Sequence, residues 1–508
     1  METNTAVART HPRLAVQAFW LTFARFIAAV LGIATPMLLV RILNQYEYGV
    51  YKQVFLFAGT TTALAAFSVG VSAYYYMPRM PERGGQIALN IMAYNLIVGL
   101  VPLLVLLFYP RVLTLVFRSG DLQPFAPLLG IFIILSLNGL LVEMIPTAMQ
   151  DVRSSTLFVV GTQLARAALV VAAALAFRTV RSLIYAHIFG ALLCMIVLVR
   201  YLYRRFGAFW RTFDPAFFRE QLWYALPLGL YGVIFVIRKD LDKYFVSAIF
   251  PPAIYAIYAI GWLEVPLINL FLESMLSVMV VRVSSLHKEG RTEDIRHVMA
   301  SAINRVATIQ FPIYAMLLVG GRDLIVFFYT KTYESSAHIF YITITLVLLS
   351  VFMYDPLVRA YTELRSFIVI VRLAILIGMF AVLSPIIHHF GMTGAAIAAV
   401  LGDLIERVIV IWRVCRAVDA KPHDLRLLVP IPRTAAVTAA AALAAFFVRN
   451  MLLNQPLVLR LFATAVTLGL VYAAGFYVMK LPGWELVSKD RLLQLAESTR
   501  ARLRGATS

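Results

Sequence analysis

The sequence carries little charge and almost no cysteine. Only 14% of its 508 residues are Asp, Glu, Lys or Arg, and 61% are hydrophobic, whereas a soluble domain has about 25% charged and about 45–50% apolar residues. This imbalance excludes a water-soluble enzyme, and the abundance of apolar residues excludes intrinsic disorder. Cys194 and Cys415 both lie in apolar helical stretches. Neither a disulfide framework nor a cysteine metal site is therefore indicated.

The sequence also lacks the residue patterns of familiar catalytic centres. No Ser-His-Asp arrangement, HExxH motif or Walker motif occurs. The neighbouring His388 and His389 have no acid beside them, so they do not predict a metal site. The largest loops, 205–220 and 283–297, are too short for a soluble catalytic domain. We predict no catalytic residues, no metal site and no bound cofactor.

Most of the charged residues are basic. Lys and Arg number 45 against 26 Asp and Glu, which gives a net charge of +19. Eight of the 45 are Lys and 37 are Arg, whose planar guanidinium binds phosphate oxygens in a fork that Lys does not offer. In a soluble chain this excess would indicate nucleic-acid binding. Here the basic residues border or interrupt apolar runs, which predicts a membrane protein without a nucleic-acid partner.

Fourteen apolar segments predict an all-α integral membrane protein. A helix that crosses the hydrocarbon core needs about 20 mostly apolar residues. The predicted helices are 14–43, 51–76, 86–109, 125–148, 155–177, 182–203, 221–250, 253–281, 298–320, 336–354, 367–387, 391–413, 432–449 and 457–478. Segments on the N-terminal side carry about twice as many Lys and Arg as the opposite segments, which predicts that both termini are cytoplasmic.

A shift of 207 residues places the first predicted helix on the seventh. Residues 14–43 then align with 221–250, and the turn at 48–51 (YGVY) lies over the turn at 255–258 (YAIY). Duplicated halves around a central site are a common plan of transporters. We therefore predict two six-helix lobes that form a pseudo-repeat, followed by a C-terminal helix pair.

These features divide the chain into seven segments. They are a cytoplasmic N-terminus (1–13), an N-lobe (14–206), a cytoplasmic linker (207–220), a C-lobe (221–415), a cytoplasmic loop (416–431), the helix pair (432–478) and a basic tail (479–508). The tail mixes apolar and basic residues. It is interpreted either as lying on the anionic inner leaflet or as solvated.

Three motifs resemble the polysaccharide flippases of the multidrug/oligosaccharidyl-lipid/polysaccharide exporter superfamily. The stretch 39–51 (LVRILNQYEYGVY) is similar to the family's junction of helices 1 and 2, with Asn44 where Gly is usual. Pro227 with the downstream pair Asp242 and Lys243 resembles helix 7, and 391–399 (GMTGAAIAA) resembles the small-residue opening of helix 12. The resemblance spans roughly residues 10–480.

The resemblance implies a flippase of the bacterial inner membrane rather than an enzyme. Its cargo would be a polyprenyl-pyrophosphate-linked oligosaccharide for a surface polysaccharide such as lipopolysaccharide or exopolysaccharide. The two lobes would rock about a cationic, water-filled central cavity. No ATPase motif is present, so H⁺, Na⁺ or the product gradient would drive turnover. Further expected partners are anionic inner-leaflet lipids, a polysaccharide polymerase and glycosyltransferases.

Two other functions remain open at this point. A cation-coupled multidrug exporter of the same superfamily would handle cationic apolar cargo, and its cavity would favour acids and aromatics. A membrane-embedded polysaccharide polymerase or ligase would expose a substantial outer loop with catalytic acids or His, and the outer loops here are short.

Charges within the apolar segments are the candidate site residues. A Lys, Arg or Asp at mid-helix costs about 2.5–3.5 kcal/mol on insertion scales, so such residues usually face a bundle interior or a wet cavity. The candidates for substrate binding are Arg25, Arg166, Arg238, Lys239, Lys243, Arg305 and Arg372. The candidates for ion coupling are Asp240, Asp242, Glu264 and Glu273.

Each candidate also has a plainer interpretation. Arg25 would reach the interface if its helix begins nearer Phe19, and the 238–243 cluster would be an exposed helix end that pairs its own charges. Arg166, Arg305 and Arg372 would each form a structural ion pair or interhelical hydrogen bond. The acids available as partners are Glu143, Glu264, Glu273, Asp403 and Glu406.

Overall fold

The computed structural model describes residue 23, residues 26–263 and residues 265–483. Two predicted site residues, Arg25 and Glu264, lie outside the described residues, as do the N-terminus 1–13, the start of the first predicted helix and most of the basic tail.

The described ranges are helical and contain no strand. The helices are α1 (Phe26–Ile42), α2 (Gln45–Ala66), α3 (Ser72–Tyr76), α4 (Gly84–Phe108), α5 (Arg111–Phe117), α6 (Ala126–Gly139), α7 (Leu141–Ala148), α8 (Val152–Phe177), α9 (Val180–Phe206), α10 (Pro215–Ile249), α11 (Pro252–Gly261), α12 (Pro266–Lys288), α13 (Thr292–Tyr329), α14 (Ser336–Thr343), α15 (Thr345–Ser350), α16 (Asp355–Ala360), α17 (Thr362–Ala417), α18 (Pro430–Met451) and α19 (Leu457–Val478).

The helix lengths confirm a multi-pass, all-α membrane protein. Within the described residues, nine helices are long and apolar enough to cross a bilayer, or ten if the bent pair α2–α3 counts as one span. Three shorter apolar helices, Phe26–Ile42, Pro252–Gly261 and Ser336–Ser350, add to them. The predicted number of 14 is therefore not confirmed.

The predicted single helix at 253–281 is wrong. The chain forms α11, which ends at Gly261, and α12, which begins at Pro266. Proline disfavours helical geometry in the residue before it, and Val265 is accordingly extended, with φ −99° and ψ 98°. Gly261 also packs closely, since a Cβ there would lie 2.4 Å from the Cβ of Ile339. This region is a broken helix.

The second predicted helix, 51–76, begins earlier and contains a break. Asn44 caps α2: its Oδ1 accepts from the Glu47 N–H at 2.8 Å, and Glu47 Oε2 accepts from the Asn44 N–H at 3.1 Å. This reciprocal capping box starts the helix at residue 45. Phe67 and Ser68 then adopt left-handed conformations, with φ 41° and 55°. The two helical pieces on either side of them are bent by 52°.

Helix α17 contains the two predicted helices 367–387 and 391–413. Gly391, with φ 61° and ψ −154°, interrupts its helical geometry, a conformation that residues with a side chain rarely adopt. The chain folds back, because a Cβ at Gly402 would lie 3.0 Å from the sulfur of Met379. Gly394 is equally close to Ile386, at 2.7 Å from its Cγ2. Gly394 of this small-residue stretch therefore packs closely on the preceding helical piece.

The helices form two compact units. The first comprises 1–260 and 380–395, and the second comprises 261–379 and 396–508. Helices α10 and α11, which the pseudo-repeat assigns to the C-lobe, thus cluster with the first unit. Helix α10 begins at Pro215, where Asp214 accepts from the Ala216 N–H at 2.9 Å, so it extends into the predicted linker. The predicted lobe boundaries stay a prediction.

The two repeated turns contact each other within the first unit. The Gln45 amide donates to the Ala253 carbonyl at 3.1 Å. A Cβ at Gly49 would lie only 1.9 Å from the Pro252 carbonyl oxygen. The start of α2 therefore packs backbone to backbone on the start of α11, which only a glycine at position 49 permits.

Gly49→Ala is expected to lower the free energy of unfolding by about 1–3 kcal/mol, the usual cost of overpacking. The control is Gly59→Ala in the same helix, because no heavy atom lies within 4 Å of a Cβ at Gly59. Alanine there is expected to be neutral or to stabilise by up to about 1 kcal/mol, since it favours helix. Unfolding of the purified variants in a detergent titration measures both changes. Equal stability of the two variants would contradict the close contact.

Candidate functional site

Three residues of the charged stretch in α10 form a compact cluster with α2. The Lys243 ammonium lies 2.7 Å from Asp240 Oδ1 and also donates to the Lys239 carbonyl at 3.1 Å. The Thr60 hydroxyl of α2 donates to Asp240 Oδ2 at 3.0 Å. Both carboxylate oxygens of Asp240 are thus engaged. The side chains of Lys243 and Asp240 are largely buried, with 15% and 19% exposure.

Asp242 faces a different helix from Asp240. Its side chain is fully buried, and Oδ2 accepts from the Tyr258 hydroxyl of α11 at 2.6 Å. A buried carboxylate needs hydrogen bonds or opposite charge to remain ionised. The two acids of the stretch therefore tie α10 to two different helices, and the stretch lies inside α10 rather than at an exposed helix end.

Lys52 joins this cluster although the sequence did not single it out. Its ammonium lies 5.6 Å from the centre of the Tyr48 ring, a cation–π distance. It is also close enough to Lys243 for the two ammonium groups to repel each other. The capping box at Asn44 and Glu47 is the signal that would have found it, because a helix that begins at 45 places Lys52 two turns inside. We define the cationic cluster as Lys52, Lys239, Lys243 and Asp240.

Arg166 lies in a notch formed by small residues. Its Nη2 is 2.9 Å from the sulfur of Cys194 in α9. A Cβ at Gly190 would come within 2.8 Å of its Cγ, and one at Gly139 within 3.2 Å of Nη2. Among the described residues, no carboxylate pairs with this guanidinium. Its positive charge is therefore not neutralised by an ion pair.

The neighbourhood of Arg166 also contains His187 of α9. His187 Nε2 is 3.2 Å from the Tyr51 hydroxyl, and its ring is 4.2 Å from that of Phe55. Arg166 and His187 are close enough to interact electrostatically. This part of the first unit therefore combines aromatic and polar groups with a guanidinium that has no carboxylate partner among the described residues.

The candidates in the second unit have different surroundings. Arg372 is buried, and its Nε lies 2.9 Å from Glu406 Oε1, which also accepts from the Tyr354 hydroxyl at 2.7 Å. This is the structural ion pair that the sequence left open. Arg305 and Glu273 are exposed.

The structure thus gathers some of the candidates and separates others. Lys239, Asp240 and Lys243 share one cluster, and Arg238 is half-buried on the same helix. Arg166 lies elsewhere in the first unit, while Arg305, Arg372 and Glu273 belong to the second unit. Asp403 pairs with Arg407 at 2.7 Å, which matches its interpretation as a structural acid. The roles of all these residues in binding stay predictions.

The comparisons with known proteins identify the family and the fold. The family model of polysaccharide biosynthesis proteins matches residues 14–287. A comparison with curated protein sequences finds no significant match.

Solved structures with the same fold include the lipid II flippase MurJ in an inward closed conformation. It is 14% identical, with a TM-score of 0.67, and the match covers 92% of this chain and 99% of MurJ. An inward-facing multidrug resistance MATE family transporter of the MOP superfamily is 14% identical, with a TM-score of 0.59 and coverage of 77% and 95%.

A third structure is a MOP superfamily transporter from Pyrococcus furiosus, whose binding pocket is described as having reverse polarity. It is 13% identical, with a TM-score of 0.55 and coverage of 80% and 95%. These structural neighbours are transporters and not enzymes. On the family match, the chain belongs to the polysaccharide biosynthesis protein family, and it shares its fold with these transporters.

Proposed function

We propose that this protein flips a polyprenyl-pyrophosphate-linked oligosaccharide across the bacterial inner membrane for surface polysaccharide biosynthesis. The family match supports a role in polysaccharide biosynthesis. The fold supports translocation of a lipid-linked sugar, because MurJ is described as a lipid II flippase. Both termini would be cytoplasmic. A polymerase and glycosyltransferases would act on the same lipid-linked intermediate.

The observation that carries this proposal is the cationic cluster in apolar helices of the first unit. A pyrophosphate that leaves water loses its hydration, and fixed cationic donors replace it with charge-assisted hydrogen bonds. Lys52 and Lys243 repel each other, with Asp240 as the acid in contact with Lys243. An anionic group between the two ammonium groups would relieve this repulsion. Arg166, outside the cluster, offers a further cation that no described carboxylate neutralises.

Transport would follow from alternating access of the two lobes about a cationic central cavity. The energy would come from an ion or product gradient. Asp240 is the proposed coupling acid for H⁺ or Na⁺, because a cation bound at its carboxylate would compete with Lys243 and free the ammonium for cargo. Asp242 is less available as a coupling acid, because one of its carboxylate oxygens already accepts a hydrogen bond from the Tyr258 hydroxyl.

Export of cationic drugs is the competing function, because MATE transporters share the fold. Cationic apolar cargo needs acids and aromatics at its site. The ammonium groups of Lys52 and Lys243 oppose such cargo electrostatically. This contrast makes the two functions separable by the charge of the cargo alone.

Reconstitution into liposomes tests the proposal. An NBD-labelled polyprenyl-pyrophosphate oligosaccharide in both leaflets is only partly quenched by external dithionite. With the protein present, quenching is expected to approach completion, because inner-leaflet lipid reaches the outside. The same vesicles are expected not to accumulate ethidium under a pH or Na⁺ gradient. Ethidium accumulation without movement of the labelled lipid would favour the drug exporter and overturn the proposal.

A further inference from the structure

Three connections of the first unit meet around a pocket of about 340 Å³. They are the start of α2, the segment before α6 and the turn between α8 and α9. The residues used below are Tyr46, Glu47, Asp121, Phe125, Thr179 and Arg181. The volume is at the lower end of the range of about 300–1,000 Å³ for small-molecule sites. It suits one or two small rings rather than a large ligand.

The three connections lie on one side of the membrane by helix order. They follow the first, third and fifth predicted spans, so an odd number of crossings separates each of them from the N-terminus. The predicted topology places that side outside the cell. The pocket is therefore formed by residues at or near the ends of the helices.

The charges that line the pocket are mixed. Glu47 and Asp121 are acids, and Arg181 is a cation. The guanidinium disfavours a metal cation or a cationic drug, and the two carboxylates disfavour a phosphate. A neutral ligand that both accepts and donates hydrogen bonds is repelled by neither the guanidinium nor the carboxylates.

The polar groups offer complementary partners to a polyol. Arg181 is exposed and, within the described part of the chain, has no hydrogen-bond or ion-pair partner. Asp121 accepts from the Ser119 hydroxyl through Oδ2 and interacts with the Tyr46 phenol. Glu47 uses Oε2 for the helix cap. A carboxylate has about four acceptor sites, so both acids retain capacity to accept from hydroxyl groups.

Two aromatic side chains, Tyr46 and Phe125, also line the pocket. Tyr46 is 45% exposed, so part of its ring is accessible to a ligand in the pocket. Phe125 lines the same pocket. Aromatic rings offer apolar faces, and the tyrosine adds a hydroxyl group. A pyranose ring presents C–H faces to such rings and hydroxyl groups to acids and guanidinium.

We propose that this pocket binds a pyranose sugar of the glycan, at the end of the N-terminal unit where the predicted topology places the outer side. The inference rests on the proposed function for the source of the sugar, and its test does not require translocation. A sugar held here after crossing would hinder return of the glycan. Binding of the sugar would thus slow the return step, while the gradient would still set the direction of net transport.

Saturation-transfer difference NMR on the full chain in lipid nanodiscs tests this site. The probes are the methyl glycosides of glucose, galactose, rhamnose, N-acetylglucosamine and glucuronate, and the oligosaccharide released from the host's own lipid-linked intermediates. At least one probe is expected to receive saturation from the protein. Signal from the released oligosaccharide alone assigns the site to the cargo, and signal from the simple glycosides assigns it to free sugars as well.

The variants Asp121→Asn and Arg181→Gln are expected to weaken sugar binding by about tenfold each, the effect of one charged hydrogen bond. Arg111→Gln, an exposed arginine at the start of α5 that does not line the pocket, is expected to bind like the wild type. No signal from any sugar, equal binding by all variants, or signal from tetraphenylphosphonium instead of sugars would each overturn the inference. Lipid flipping in vesicles is scored separately, so either proposal can fail alone.

Discussion

Lys243→Gln is expected to reduce flipping of the labelled lipid-linked oligosaccharide by about 10–100-fold at limiting cargo. The physical reason is that one charge-assisted hydrogen bond contributes about 1.5–3 kcal/mol. The variant also leaves Asp240 without its cation at 2.7 Å. The net positive charge of the cluster then falls by one unit, so a pyrophosphate is attracted less strongly. Initial flipping rates in proteoliposomes with equal protein content measure the change.

Two matched variants distinguish an effect of the lost positive charge from an effect on folding. Lys243→Arg keeps the positive charge and is expected to retain a substantial part of the activity. Lys331→Gln makes the same chemical change at an exposed position between α13 and α14 and is expected to leave the rate unchanged. If Lys243→Gln flips cargo like Lys331→Gln, the cationic cluster does not bind the headgroup.

A double variant tests whether Lys52 and Lys243 share one ligand. Two residues that contact the same group show a large interaction energy, and independent residues show additive effects. Lys52→Gln together with Lys243→Gln is therefore expected to be less damaging than the sum of the single changes. Strict additivity would place the two ammonium groups at separate sites.

Asp323→Ala is expected to lower the free energy of unfolding by about 3–5 kcal/mol, the cost of breaking a buried ion pair. Asp323 in α13 is 4% exposed, and each of its oxygens lies 2.6 Å from an arginine, Arg449 at the end of α18 and Arg460 at the start of α19. Removing the acid leaves two largely buried guanidinium groups uncompensated. Unfolding of the purified variant in a detergent titration measures the loss.

The neighbouring residue supplies the control. Arg322 pairs with Glu334, but these side chains are 61% and 36% exposed. Glu334→Gln is therefore expected to cost less than about 1 kcal/mol. Replacing Asp323, Arg449 and Arg460 together by Leu is expected to recover most of the stability, because an apolar set leaves no buried charge. If Asp323→Ala is as stable as Glu334→Gln, the proposed stabilising role of Asp323 is wrong.

Helix positions were predictable wherever one apolar run coincides with one helix. The runs 155–177, 182–203 and 457–478 correspond to α8, α9 and α19 because caps or turns bound them. Asp151 and Thr179, for example, accept from the N–H groups of Ser154 and Ser182. Hydrophobicity alone did not show the break before Pro266, since the apolar run continues from α11 into α12.

The partners of the charges were harder to predict than the helices. Arg372 and Glu406 are 34 residues apart and meet only because the chain reverses near Gly391. Asp323 lies 126 and 137 residues from its two arginines. Helical periodicity relates residues three or four positions apart, so it does not predict partners at such large sequence separations. The sequence therefore identified which charges are embedded in apolar segments, but it could not distinguish a neutralised arginine from one without a carboxylate.

The contact between the starts of α2 and α11 has a consequence for the ancestry of the chain. In the proposed duplication, Gly49 corresponds to Ala256 and Gln45 to Pro252. A symmetric ancestor with proline on both copies would have needed glycine on both copies, because the carbonyl that meets Gly49 leaves no room for a methyl group. If alanine replaced one of two such glycines, the second half would no longer pair with itself in this way. After that replacement, each half would need the other for this contact, so the two halves would have to remain in one gene.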